Sequence, residues 1–383
     1  MVNTERITKT FCDLVRVDSI GGQERQMADM IRQKLSALGY SSTEDNAGDT
    51  IGGNAGNVIV KIPGNNPAAP LLFMAHMDTV EPGHGKVPVI QGDLIKSEGT
   101  TVLGGDDLAG VACILEAIAV LKEENISHGD IYAVFTIAEE GGLFGARALD
   151  VSAIPAKFAY VLDDEGPIGT AAIKAPNYNR LRFNVKGKAA HAGLCPEEGL
   201  NAIRIAAAAI AGLPFMGRID QDSTCNIGMI QGGRARNIVP DQVIVDGEVR
   251  SLENEKLASF TGQLTDSFCK TVEREGGTVE IEVENMYGGY SITEDHPIIR
   301  LMKKAASRLN IPVNLHATGG GSDTNIINGK GIPAVDISVG MSNVHSTTEQ
   351  IAISDMVKAS QLMVEIIRVH TEEVNDRHEE NIS

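Results

Sequence analysis

The apolar positions of this chain follow two rhythms. Met27, Met30, Ile31, Leu35 and Leu38 recur at helical spacing and stop at Gly39, and Val111, Leu115, Ile118 and Leu121 repeat the pattern, so both stretches are predicted helices. Between such segments lie runs apolar on both faces, at 57–63, 71–75, 130–138 and 157–162. Helices alternating with continuous apolar runs predict a mixed, largely parallel α/β sheet with helices on both faces. The texture changes near residue 179. From 179 to 291 the order is strand (180–187), helix (201–213), strand (224–231), strand (242–251), helix (255–275) and strand (278–284). That β-α-β-β-α-β order predicts a smaller ferredoxin-like α+β domain inserted into the first. A helix at 298–309 and a last helix near 354–370 follow, the latter with Met356, Val357, Leu362, Met363, Ile366 and Ile367 on its apolar side. The charged tail, 371–383, is expected to fray. Residues 1–178 with 292–383 are thus one expected domain, and 179–291 the other.

Polar residues interrupt the apolar runs at one kind of place. Run 71–75 breaks into His76 and Asp78, run 131–138 into Glu139 and Glu140, run 158–162 into Asp163 and Asp164, and run 332–339 leads through Gly340-Met-Ser-Asn-Val to His345. Open α/β sheets build their sites at the carboxyl ends of strands, so these residues are expected on one rim. In an extended strand residues i and i+2 share a face, and a histidine backed by a carboxylate is the usual form of a metal-ligating imidazole. A lone His-x-Asp is more often a buried histidine beside a turn aspartate, and the other strand-end acids change that reading. Asp106 and Asp107 stand just before a predicted helix, where one of them is open to an ordinary N-cap role.

Composition narrows the chemistry. At 383 residues the chain is long for a single core, and 42% hydrophobic residues fit a folded protein. A formal charge of −18, without a long basic cluster, argues against nucleic acid and anionic membranes as partners and favours small molecules. Five scattered cysteines without a Cys-x-x-Cys pair imply a reducing compartment, and the first residues lack the apolar core of a signal peptide, so a cytoplasmic location is expected. Nucleotide binding is disfavoured because no phosphate-loop motif follows the glycines near Asp106. Gly320-Gly-Ser-Asp-Thr324 lacks the last glycine of a serine nucleophile elbow.

His76-Met-Asp-Thr-Val, Gly105-Asp-Asp-Leu-Ala-Gly110, Glu139-Glu-Gly-Gly-Leu-Phe-Gly-Ala146, Val161-Leu-Asp163 and His345-Ser-Thr-Thr-Glu349 occur in this order over almost the whole chain. Together they resemble the successive motifs of the peptidase T-like branch of the dinuclear zinc peptidase and deacylase family. The resemblance implies a zinc-dependent aminopeptidase removing N-terminal residues from short peptides. The alternative within the family is a deacylase or carboxypeptidase acting on N-acyl amino acids or dipeptides. It implies that His76 and Asp163 hold one zinc, Glu140 and His345 the other, and that Asp106 bridges the two. Cobalt or manganese fits the same nitrogen and oxygen donors. Asp78 is then expected to orient His76, and Glu139 to activate the water between the ions. A cis peptide between Asp106 and Asp107 is implied as well.

The family places a lid or dimerisation domain where the insert lies, which implies a homodimer. His191, in Gly187-Lys-Ala-Ala-His-Ala-Gly193, resembles its catalytic lid histidine. Arg236, Asn237 and Arg250 are candidates for gripping a substrate carboxylate, since a guanidinium binds carboxylate in bidentate fashion. Gly320 and Ser322 lie in a stretch, Thr318-Gly-Gly-Gly-Ser-Asp-Thr-Asn325, that resembles the family's glycine-rich substrate loop. Peptidase T itself carries Arg where this chain has Thr318, so its tripeptide preference does not transfer directly.

Overall fold

The computed structural model describes residues 1–380, and side chains as far as 373. The chain separates into two compact units, one of Met1–Ile173, Ser291–Ala317 and the stretch from Ser322 onward, the other of Lys174–Tyr290 with Thr318–Gly321. The second unit thus begins a few residues before the 179 boundary read from sequence and borrows a short piece of the glycine-rich loop.

In the first unit the central strands are Ile131–Thr136, Leu71–His76, Phe158–Asp164 and Ala334–Ser338, paired in that order and parallel throughout. Val58–Ile62 and Ser42–Glu44 continue the sheet on one side in antiparallel fashion, and Thr170–Ala175 pairs antiparallel on the other. The parallel centre explains the unbroken apolar runs. Alternate side chains of Leu71–His76 feed two separate cores: Leu71, Phe73 and Ala75 join the helices Gly105–Glu123, Pro297–Arg308 and the C-terminal helix, while Leu72 and Met74 pack with Leu149, Ile327 and Ile332. Burying each of Leu71, Leu72, Phe73 and Met74 contributes roughly 1.5–3 kcal/mol. In this register His76 is level with Thr136 and Ser338 with Asp164, so the polar strand ends share one rim.

A second, four-stranded sheet of Pro88–Gln91, Leu94–Ser97, Gln350–Ala352 and Met341–Ser342 carries the loop that holds His345 and Glu349. The C-terminal helix runs over Ile353–Glu380, past the end expected at 370. Val364, Ile366, Ile367, Val369 and Thr371 are buried along it, so packing carries the helix into the charged tail. Residues 381–383 of that tail lie outside the described residues.

The second unit is an antiparallel sheet in the order Gly217–Asp220, Ser223–Gly232, Gln242–Ser251, Asn177–Lys186, Thr278–Tyr287, with helices Ala202–Ala211 and Asn254–Arg274. Leu181, Phe183 and Val185 point to the helices, and Phe183 stacks on Phe268 with centroids 4.0 Å apart. Without its first strand the order is that of a split β-α-β-β-α-β unit. The added strand, Gly217–Asp220, escaped sequence reading because it is short and pairs only with its immediate successor.

Candidate metal centre

Five strand-end and loop residues of the first unit converge. Nε2 of His76 lies 2.9 Å from Oδ1 of Asp106 and 3.6 Å from Oδ1 of Asp163. Nε2 of His345 lies 3.1 Å from Oδ2 of Asp106 and 2.8 Å from Oε1 of Glu140. The two oxygens of Asp106 therefore face two different imidazoles, each accompanied by one further acid. Ligand atoms of His76, Asp106 and Glu140 fall within 4.8 Å of one another, as do those of His76, Glu139 and Asp163. Glu139 is thus as close to His76 and Asp163 as a ligand would be.

Local backbone explains how the neighbours Glu139 and Glu140 face different partners. The strand Ile131–Thr136 ends, and Ala138 turns with φ 47, a left-handed conformation that alanine holds only when its surroundings impose it. The Ala138 amide donates to Glu24 at 3.0 Å and its carbonyl accepts from Phe144 at 3.1 Å, which fixes the turn. His345 is likewise left-handed, with φ 59. Asp106 and Asp107 have non-helical angles and a cis peptide between them. The Asp107 carboxylate accepts from the Gly110 amide at 3.0 Å, the N-cap role that sequence left open between the two aspartates.

Charge at the site is lopsided. Three carboxylates face two imidazoles, and Glu139, Asp78 and Asp107 are buried around them. Burial would lift Asp106, but hydrogen bonds from His345 and His76 hold it below the ordinary carboxylate range. Burial, and then the Asp106 charge, push Asp163 well above that range. Burial, followed by the charges of Asp323, Glu140 and Asp78, does the same to Glu139. The His345 imidazole is raised to about 10 by its bonds to Asp106 and Glu140. Such a buried excess of acid, in a nitrogen and oxygen donor set, fits divalent cations.

Behind these residues stands a layer of carboxylates that bonds the backbone amides of His76, Asp106, Glu139, Glu140 and Asp163. Asp107 accepts from the His76 amide at 3.2 Å, and Asp336 from the Asp163 amide at 3.0 Å. Asp78 accepts from Glu139 at 2.9 Å and Glu140 at 3.2 Å, while Glu349 accepts from Asp106 at 3.0 Å. The expectation for Asp78 is modified accordingly. Nδ1 of His76 bonds the Asp78 carbonyl at 2.9 Å, with the carboxylate oxygen at 3.5 Å, so Asp78 orients His76 mainly through its backbone while its carboxylate secures the two glutamates. Sequence reasoning missed Glu24, Asp323, Asp336 and the role of Glu349, because each has a partner far away along the chain, a backbone amide for Glu24, Asp336 and Glu349 and the Thr136 hydroxyl for Asp323. Nε2 of His316 lies 2.7 Å from Oδ2 of Asp164.

The remaining candidates divide between the units. In the second unit His191 and Ile238 form a bridge, and the Ala192 amide donates to the Asn237 carbonyl at 3.0 Å, which brings the His191 and Arg236–Asn237 loops together. Nδ1 of His191 accepts from the Gly193 and Leu194 amides at 3.2 and 3.1 Å, so the neutral ring carries its proton on Nε2. Arg236 and Asn237 are exposed, and Arg250 is engaged by Glu248 at 3.1 Å while lying 4.6 Å above the Tyr178 ring. Gly320 is exposed, and its amide donates to Thr318 at 3.1 Å. Ser322, in the first unit, is buried and caps the helix Asp323–Gly329.

Residues 72–369 match the model of peptidase family M20/M25/M40. The chain is 42% identical to the YqjE protein of Bacillus subtilis (strain 168) over 96% of its own length and 99% of that protein. It is similar in structure to a tripeptidase from Staphylococcus aureus, with a TM-score of 0.91 and 36% identity over 97% of this chain and all of the other, the latter figure being 100%. Aminopeptidase PepT from Bacillus cereus gives 0.86 and 41% identity over 96% of this chain and 99% of that one.

Proposed function

Because the chain belongs to peptidase family M20/M25/M40, we propose that it is a two-cation metallo-aminopeptidase of the peptidase T type, cleaving the N-terminal peptide bond of short peptides. The observation that carries this reading is Asp106, whose two oxygens meet the imidazoles of His76 and His345 separately, as a bridging carboxylate requires. His76 and Asp163 would hold one ion, Glu140 and His345 the other. Two imidazoles and three carboxylates suit zinc, and cobalt or manganese after it. When bound, the ions would acidify a water and polarise the scissile carbonyl.

The rest of the chemistry falls to the chain. Glu139 is 8% exposed and lifted by burial, which suits a base that accepts a proton from the attacking water and returns it to the leaving amine. Asp78 holds the Glu139 and Glu140 amides, so base and ligand keep their separate directions. His191, Arg236, Asn237, Arg250, Gly320 and Ser322 we assign to the substrate, with the guanidinium groups as partners for a peptide carboxylate. A cytoplasmic homodimer paired through the inserted domain completes the reading.

The test is hydrolysis of matched free and N-acetylated di- and tripeptides by the zinc-loaded enzyme. Cleavage of the free peptides alone is expected. Preference for the acetylated series would make the enzyme a deacylase, and inertness toward both with two ions bound would overturn the peptidase assignment.

A further inference from the structure

Glu349 lies four residues beyond His345, is 1% exposed, and bonds three backbone amides. Oε2 accepts from Leu103 at 2.7 Å and Gly104 at 2.8 Å, and Oε1 accepts from Asp106 at 3.0 Å. These amides wrap the loop that delivers Asp106. The loop has little means of holding itself, for Gly104 sits at φ 78, Asp106 and Asp107 have non-helical angles, and the Leu108 amide is the first to bond back, to Gly104 at 3.3 Å. A Cβ on Gly105 would come within 3.0 Å of Oε1, so the carboxylate fills the concave side of the turn. The amides of Leu103, Gly104 and Asp106 curl around the carboxylate as the amides of an anion nest do, and here the anion is the protein's own.

Glu349 itself is anchored from behind. It immediately precedes the strand Gln350–Ala352, which pairs with Leu94–Ser97, and its carbonyl accepts from the Ser97 amide at 3.3 Å. One five-residue segment, 345–349, therefore supplies a terminal imidazole at one end and grips the loop of the bridging carboxylate at the other.

We propose that Glu349 is the positioning residue of this centre: by clamping residues 103–106 it sets where Asp106 stands relative to His345, and so the affinity of both cation sites. Charge-assisted bonds of this kind are about twice as strong as neutral ones, and a buried amide left unpaired loses its water without a replacement. Glu349→Gln keeps the size but replaces one accepting oxygen with a donor that faces amide hydrogens. The proposal rests on the two-cation reading, but its first measurement needs no cation.

Hydrogen exchange over residues 102–107 in the metal-free wild type should show these amides protected, and Glu349→Gln should lose that protection. Zinc affinity, followed calorimetrically, should fall by ~10–100-fold in the variant, as loss of a supporting partner typically causes. Wild-type amides exchanging like an open loop would overturn the proposal. So would a variant that binds both ions as tightly as wild type, or one whose metal-free Tm falls while the affinity of the folded protein is unchanged. If Glu349→Gln does not fold, the wild-type exchange and the shorter Glu349→Asp decide in the same way. A wild type that takes up fewer than two ions with its amides protected would remove the two-cation reading and leave the clamp standing.

Discussion

At the scale of single residues, function depends on giving identical side chains different jobs. Glu139 and Glu140 are neighbours, yet the left-handed Ala138 and the grip of Asp78 on both amides turn one toward His76 and Asp163 and the other toward His345. Glu139→Gln keeps the shape and removes the proposed base, so kcat should fall by at least ~100-fold while metal content stays at the wild-type level. A variant that loses an ion would move Glu139 into the ligand set, a role its closeness to His76 and Asp163 permits. Glu24 shows a third use of the same side chain. Its Oε1 accepts from Gly22 at 2.8 Å and Ala138 at 3.0 Å, its Oε2 is buried without a partner, and burial lifts the carboxyl to about 7. The unfolded chain ionises this group from about 4.5, so between those values the folded protein holds the extra proton. The stabilisation is then complete below the lower value and lost as pH rises through the upper one. Relative to Glu24→Gln, the metal-free wild type should lose roughly 3 kcal/mol between about pH 5 and about pH 8, read by urea unfolding. A difference that is flat with pH would show that Glu24 is ionised throughout.

Among elements, those the sequence makes legible are those with a local pattern. The strand Leu71–His76 is legible because an apolar run stops at an imidazole, and the split unit because its helix and strand periods alternate in order. What joins the elements at the site is not local. The Asp78 carboxylate finds amides 61 and 62 residues away, and Glu349 finds its three at separations of 243 to 246. No periodicity encodes such pairs, and an isolated acid in a sequence looks the same whether it faces water or a buried amide. The loop before the helix Gly105–Glu123 is the element most exposed to this limit. Just inside that helix, a Cβ on Gly110 would come within 2.3 Å of Oδ1 of Asp107 and 2.7 Å of the Leu162 carbonyl. Gly110→Ala should therefore displace the cap and its bond to His76, lowering stability by ~1–3 kcal/mol and weakening metal uptake, measured by unfolding and metal analysis. Wild-type values for both would show that the loop relaxes at no cost.

For the whole molecule, buried acids on one rim make stability depend on what neutralises them. Ions that bind only the folded chain add about 2.7 kcal/mol at a hundredfold excess over Kd for each site. Exhaustive chelation should lower Tm, and stoichiometric zinc should restore it with an endpoint near two ions per chain. An unchanged Tm would mean that the acids are balanced by protons alone. The other large-scale feature is the route of the chain. The excursion Lys174–Tyr290 departs from the strand Thr170–Ala175 and returns beside it, where the Ile292 amide bonds the Ile173 carbonyl at 2.8 Å. At the level of the gene this is a cassette slot: a coding segment whose two ends emerge one hydrogen bond apart can be exchanged, enlarged or deleted, leaving a scar no bigger than a hairpin turn. Recombination at two codons can therefore replace the inserted unit while the parent sheet is inherited unchanged.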